Sequence, residues 1–137
     1  MSGEIVVPGV PVAQPRQRHT RNGHNYIPKS HAIWDYKSRI VKAFEETGAD
    51  PIPRGTPVRL RVNFWFPRPK SKVWKTKPMP SYPHTSKPDV DNLVKAVADA
   101  LNGRLFHDDS QIASVKANKS VCSGLSEPTT FIYWEKF

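Results

Sequence analysis

At 137 residues, 37% hydrophobic and 24% charged, the chain has length for one modest core and not for two. No apolar run nears the ~20 residues of a membrane span, the start Met1-Ser2-Gly3-Glu4 lacks a secretion-signal pattern, and the single cysteine, Cys122, rules out an internal disulfide or a cysteine-rich zinc centre. The net charge of +9 sits in the front part: residues 1–88 hold 16 Lys and Arg against 5 Asp and Glu, a net +11, and residues 89–137 hold 5 against 7, a net −2. A cytoplasmic protein that meets a polyanion is the expectation.

Glu4-Ile-Val-Val7 reads as a short strand that could resume at Val10–Val12, and Pro8 and Pro11 suit an edge position. Residues 15–28 form a basic, turn-rich loop expected to be flexible. Arg16, Arg18 and Arg21 are its candidate phosphate contacts, and Tyr26 could stack on a base. The alternative for this loop is a solvated charged surface.

Residues 30–47 predict a helix, with Ser30 as N-cap and Gly48 as stop. Ile33, Tyr36, Ile40, Val41 and Phe44 supply its apolar stripe. Residues 49–57 are a Pro-rich connector. Val58–Phe66 alternates cleanly, so Val58, Leu60, Val62, Phe64 and Phe66 should face a core, with Arg59, Arg61, Asn63 and Trp65 on the other face.

Residues 67–87 show no core pattern. They carry Arg68, Lys70, Lys72, Lys75, Lys77 and Lys87 with Trp74 and Tyr82 interleaved. We read them as a flexible basic flap against nucleic acid, the alternative being a plain disordered loop. The flap leads into Lys87-Pro88-Asp89-Val90-Asp91-Asn92-Leu93-Val94-Lys95. There Asp89 takes an N-cap position and a helix begins. Val90, Leu93, Val94, Val97, Ala100 and Leu101 fall on one arc. Asp91, Lys95, Asp99 and Asn102 fall on the other, with Lys95 four residues from either acid. Asn102-Gly103 ends the helix. After a short turn, His107-Asp108-Asp109-Ser110 brings carboxylates back toward its start. Ile112–Val121 and Thr129–Glu135 read as closing strands.

Acids gathered this way in a basic chain call for a counter-charge. Three carboxylates ~5 Å apart repel by ~3 kcal/mol per pair at an effective dielectric near 20. Mg²⁺, or Mn²⁺ in its place, prefers such hard oxygen donors. It could bridge a scissile phosphate, with Lys95 stabilising developing charge. Taken singly, each acid is equally well a helix cap or turn residue. His84 and His107 flank the motif and could touch metal or phosphate, though lone loop histidines usually do neither.

The string Asp89-x-Asp91-Asn92-Leu93-x-Lys95-x-x-x-Asp99-Ala100-Leu101, followed by Asp108-Asp109-Ser110-Gln111-Ile112, resembles the RusA family of Holliday-junction resolvases. The close match covers about 25 residues. The resemblance implies a small α+β homodimer, one domain over 1–137, with two main helices on a mixed sheet. It implies an enzyme that nicks four-way DNA junctions symmetrically with Mg²⁺ in recombination and repair. Asp89, Asp91, Lys95 and Asp109 match the family's functional residues. Because the turn before them varies in length, either Asp108 or Asp109 could be the third metal ligand, and Asp109 matches better. Two other readings stand beside this one: a non-catalytic basic nucleic-acid-binding protein, and a metal nuclease for other branched DNA.

Overall fold

A computed structural model describes all 137 residues. In chain order the strands are β1 (Ser2–Pro8), β2 (Arg18–His19), β3 (Asn25–Tyr26), β4 (Val58–Phe66), β5 (Tyr82–Pro83), β6 (Ile112–Val121) and β7 (Thr129–Lys136). The helices are α1 (Ala32–Glu46) and α2 (Val90–Leu101). One sheet runs β1-β7-β4-β6-β5, while β2 and β3 form a separate small hairpin.

The alternating segment Val58–Phe66 becomes the central strand, and all five of its expected core residues are buried. It pairs antiparallel with β7 and parallel with β6, so the sheet is mixed. A parallel neighbour requires a crossover, and the chain between β4 and β6 supplies it through α2. The first strand lies at the sheet edge, where Pro8 needs no ladder donor. Val10–Val12 forms no strand, so the expected resumption does not occur.

Both helices bury one stripe against the same sheet face in a single cluster of 21 core residues. Ile33, Tyr36, Ile40 and Phe44 come from α1, with Val41 only half-buried. Leu93, Ala96, Val97, Ala100 and Leu101 come from α2. Val90, expected on this arc, is instead 38% exposed, in the first turn of α2. The connector 49–57 is not merely a spacer: Ile52 is fully buried, and its N–H donates to Leu105 O at 2.6 Å. Gly3 lies under the Trp134 indole, where any Cβ would collide with the ring.

Helix ends differ from expectation in two places. His31, not Ser30, caps α1, its Nδ1 accepting from Ile33 N–H at 3.0 Å. At the end of α2 only Gly103 is left-handed, with φ +77°, while Asn102 is extended. Gly48 stops α1 as expected, with φ +67°.

Helix and sheet are also tied by a buried hydroxyl pair, Tyr36 Oη and Thr130 Oγ1, 2.6 Å apart. Burial pushes the Tyr36 phenol up to about 12, against the opposing pull of the Thr130 hydrogen bond. Tyr36→Phe leaves the Thr130 hydroxyl unpartnered in the core, so a loss of about 1–2 kcal/mol is expected. A shift in the urea midpoint at unchanged slope measures it. No helix is long and apolar enough to cross a membrane.

Candidate active site

The acid-bearing segment begins where the flap ends. Asp89 occupies the N-cap of α2 with extended backbone (φ −73°, ψ 143°), and its carbonyl accepts from Leu93 N–H at 3.2 Å. Its carboxylate makes no capping hydrogen bond and is therefore free for another partner. Asp91 follows in the first turn and is exposed, as are Asn92 and Lys95. The amphipathic pattern dictates this. Leu93, Ala96 and Val97 must face the sheet, so Asp91, Lys95 and Asp99 are turned outward along one row.

Lys95 does not close an ion pair with either helical acid. Asp99 instead meets Lys37 of α1 at 3.7 Å. The remaining ion pairs are Asp35–Arg39, Arg59–Glu135 and Glu45–Arg104. Lys95 thus keeps its charge available beside Asp91.

The turn after α2 returns the second pair of acids. Asp108 caps a 3₁₀ turn over Asp109–Gln111: its Oδ1 accepts from Ser110 N–H at 3.0 Å, and Gln111 Oε1 accepts from the N–H groups of His107 and Asp108. Gln111 Nε2 ties this turn back to the carbonyls of Pro53 and Thr56. The two carboxyls are neighbours in this turn and perturb one another. The Ser110 N–H, then the Asp109 carboxyl, hold Asp108 below the usual carboxylate range. Partial desolvation, then Asp108 itself and Asp99, push Asp109 up, while Lys95 pulls it down. Asp109 therefore senses the polar row of α2, and Asp108 is occupied with the turn.

An open cleft of about 570 Å³ adjoins this row, lined by Gln14, Arg16, Gln17, His19, Asn92, Lys95 and Asp99. The loop is held here by Gln14 N–H donating to Asn92 O at 3.0 Å. Gln14 Oε1 is buried without a partner. Arg16 lines this cleft with Lys95 and Asp99, while Arg18 and Arg21 are exposed on and beside the β2–β3 hairpin. None of the three is in an ion pair.

The flap is more ordered in its anchoring than its composition suggests. The Arg68 guanidinium donates to Lys72 O, Pro80 O and Cys122 O, and lies 5.3 Å from the Trp74 ring and 5.5 Å from the Tyr82 ring. Lys70, Lys72, Lys75, Lys77 and Lys87 are exposed around it. His84 stacks on Phe66, centroids 4.6 Å apart. His107 is exposed at the turn.

A hard divalent cation suits these oxygen donors. No three His, Cys, Asp or Glu side chains are gathered into one cage in the lone chain, so the acids expected to share an ion are not enclosed together. Mg²⁺ commonly takes one or two carboxylates and completes its shell with water and substrate phosphate, and exposed acids beside a basic cleft offer that arrangement. Sequence reasoning assigned no role to the cleft residues Gln14 and His19, whose local pattern carries no signal because the loop that bears them meets α2 only through tertiary contacts.

Comparison with known proteins bears on the same stretch. The model of the family "Endodeoxyribonuclease RusA" matches residues 8–131. The chain is 36% identical over 122 residues to the uncharacterized protein YqaN of Bacillus subtilis (strain 168), covering 85% of each. It is 35% identical over 101 residues to the crossover junction endodeoxyribonuclease rusA of Lactococcus phage r1t, covering 72% of this chain and 63% of the phage protein. With its acid-bearing helix start inside the matched region, the chain belongs to the RusA family of endodeoxyribonucleases.

Proposed function

We propose that this endodeoxyribonuclease resolves four-way DNA junctions by paired, symmetric nicks, in recombination and repair. The observation that carries the reading is the exposed acid row at the start of α2, set beside a cleft whose cations have no acidic partner. The phage relative, named as a crossover junction endodeoxyribonuclease, supports the substrate.

Asp89, Asp91 and Asp109 would hold Mg²⁺, for which Mn²⁺ can substitute. When bound, the cation supplies Lewis acidity at the scissile phosphate. Lys95 contributes positive charge where negative charge grows on the phosphoryl oxygens. Arg16, Arg18 and Arg21 of the hairpin loop and Lys70, Lys72, Lys75, Lys77 and Lys87 of the flap hold flanking phosphates and fix the strand. Resolution needs two cuts related by a near-twofold axis, so a C2 homodimer is the simplest assembly. A DNA substrate of this kind places the protein in the cytoplasm of a bacterium or a phage-infected cell.

The test uses a labelled four-way junction and a linear duplex of matched sequence, each with Mg²⁺ and with EDTA. Paired nicks in the junction only, and only with Mg²⁺, are expected. Equal cutting of linear duplex would remove the junction preference, and the absence of metal-dependent nicks would return the chain to a DNA-binding role.

The same assay separates the two neighbouring acids. Asp109→Asn should lose activity by about 10³-fold, the equivalent of about 4 kcal/mol in the barrier. Asp108→Asn should stay within about fivefold of wild type, since asparagine caps as well as aspartate. The reverse order would assign the ligand to Asp108.

A further inference from the structure

We infer that Lys119 is a positioning residue for the acids at the start of α2, a role that rests on the metal-site reading above. The segment between β5 and α2 delivers Asp89, and it is wrapped around this one residue of β6. Its first point is backbone: His84 N–H donates to Lys119 O at 3.0 Å, extending the pairing of Tyr82 with Val121 and Pro83 with Ser120. Its other two points are made by the side chain. Lys119 Nζ donates to Ser86 O at 2.5 Å and to Pro88 O at 2.7 Å.

Three hydrogen bonds thus fix residues 84–88, and the last of them falls on the residue just before Asp89. Two are charge-assisted, which makes them short and strong. Asp89 has no capping bond of its own. The position of its carboxylate therefore depends on the backbone that presents it, and Asp91 follows two residues later on the same helix start.

Lys119 is not a solvated strand lysine. It is half-buried, and it takes part in no ion pair. The neighbouring His84 ring is packed on Phe66 with its Nδ1 unpartnered. Burial, then the Lys119 charge, hold that imidazole below its usual range.

Supporting groups around a metal site commonly change metal affinity by about 10–100-fold when removed. Lys119→Met, Lys119→Gln and Lys119→Arg in the full chain test the role. The primary readout is Mn²⁺ binding without DNA, from the electron paramagnetic resonance of free Mn²⁺. Lys119→Met should raise the half-saturating Mn²⁺ concentration by about 10-fold or more. Lys119→Arg, which keeps charged donors, should recover most of that. Junction binding in EDTA should stay within about threefold of wild type, since no phosphate contact is lost.

A purely architectural lysine would lower the melting temperature and leave Mn²⁺ affinity unmoved, which overturns the proposal. A drop in EDTA junction affinity with unmoved Mn²⁺ binding also overturns it, by making Lys119 a DNA contact. Should Lys119→Met not fold, Lys119→Gln keeps one donor and must show the same shift in smaller measure, and no shift there is a refutation. Wild-type protein that binds no Mn²⁺ refutes the metal site itself, whereas wild-type-like binding by Lys119→Met refutes only the positioning role.

Discussion

Asp91→Asn is expected to reduce metal-dependent nicking by at least about 10³-fold, about 4 kcal/mol of barrier, while the protein folds and binds junctions normally. The side chain is exposed in the first turn of α2, one turn before Lys95, and belongs to neither the core cluster nor an ion pair. Replacing it removes one favourable charge from a helix N-terminus, worth about 0.3–1 kcal/mol of stability. Chemistry and folding are thus separable at this position. Removing a negative charge near bound phosphates should also leave junction affinity unchanged or slightly tighter. Single-turnover nicking of a labelled junction at saturating Mg²⁺, with binding measured in EDTA, gives both numbers. A variant that cuts as fast as wild type would remove Asp91 from the site.

The second large effect is on salt. Eight basic residues, Arg16, Arg18, Arg21, Lys70, Lys72, Lys75, Lys77 and Lys87, lie in the hairpin loop and the flap without an acidic partner. A dimer that places about 8–10 of the combined set on phosphates should show log K falling against log salt with a slope near −7 to −9. Between 50 and 200 mM salt, that is a loss of about 10⁴- to 10⁵-fold in affinity. The loss should be similar for linear duplex, because phosphate contacts read no sequence. A slope near −2 would mean that most of these cations stay in solvent. Binding isotherms over a salt series, taken in EDTA so that no strand is cut, decide it.

Much of this molecule could be read from the chain. The clean alternation of Val58–Phe66 gave a strand with the expected buried face, because a period of two leaves no other solution, while its central place in the sheet came only from its pairing. The order of the main elements followed from the same periodicities, as did the split of α2 into a buried stripe and an outward acid row. What could not be read depends on contacts between distant segments. Nothing local says that Asp99 will pair with Lys37 rather than Lys95, since that choice is made by the crossing of α1 and α2. Val90 is apolar and in phase, yet it stays exposed, since periodicity alone does not say where along a helix the packing partner begins. The role of Asp108 as a cap emerges only once Gln111 closes the turn, while the Asp109 carboxyl, without a cap role, feels the charges of Asp99 and Lys95. Lys119 looks like any lysine on an imperfectly alternating strand until the preceding segment folds over it.

Anomalous diffraction from crystals soaked in Mn²⁺ probes the shared acid site most directly. A peak with carboxylate oxygens of Asp89, Asp91 and Asp109 at about 2.1 Å, the remaining positions filled by water, is the expected result. A peak held by Asp108 alone, by His84 or His107, or by none of these acids would contradict it.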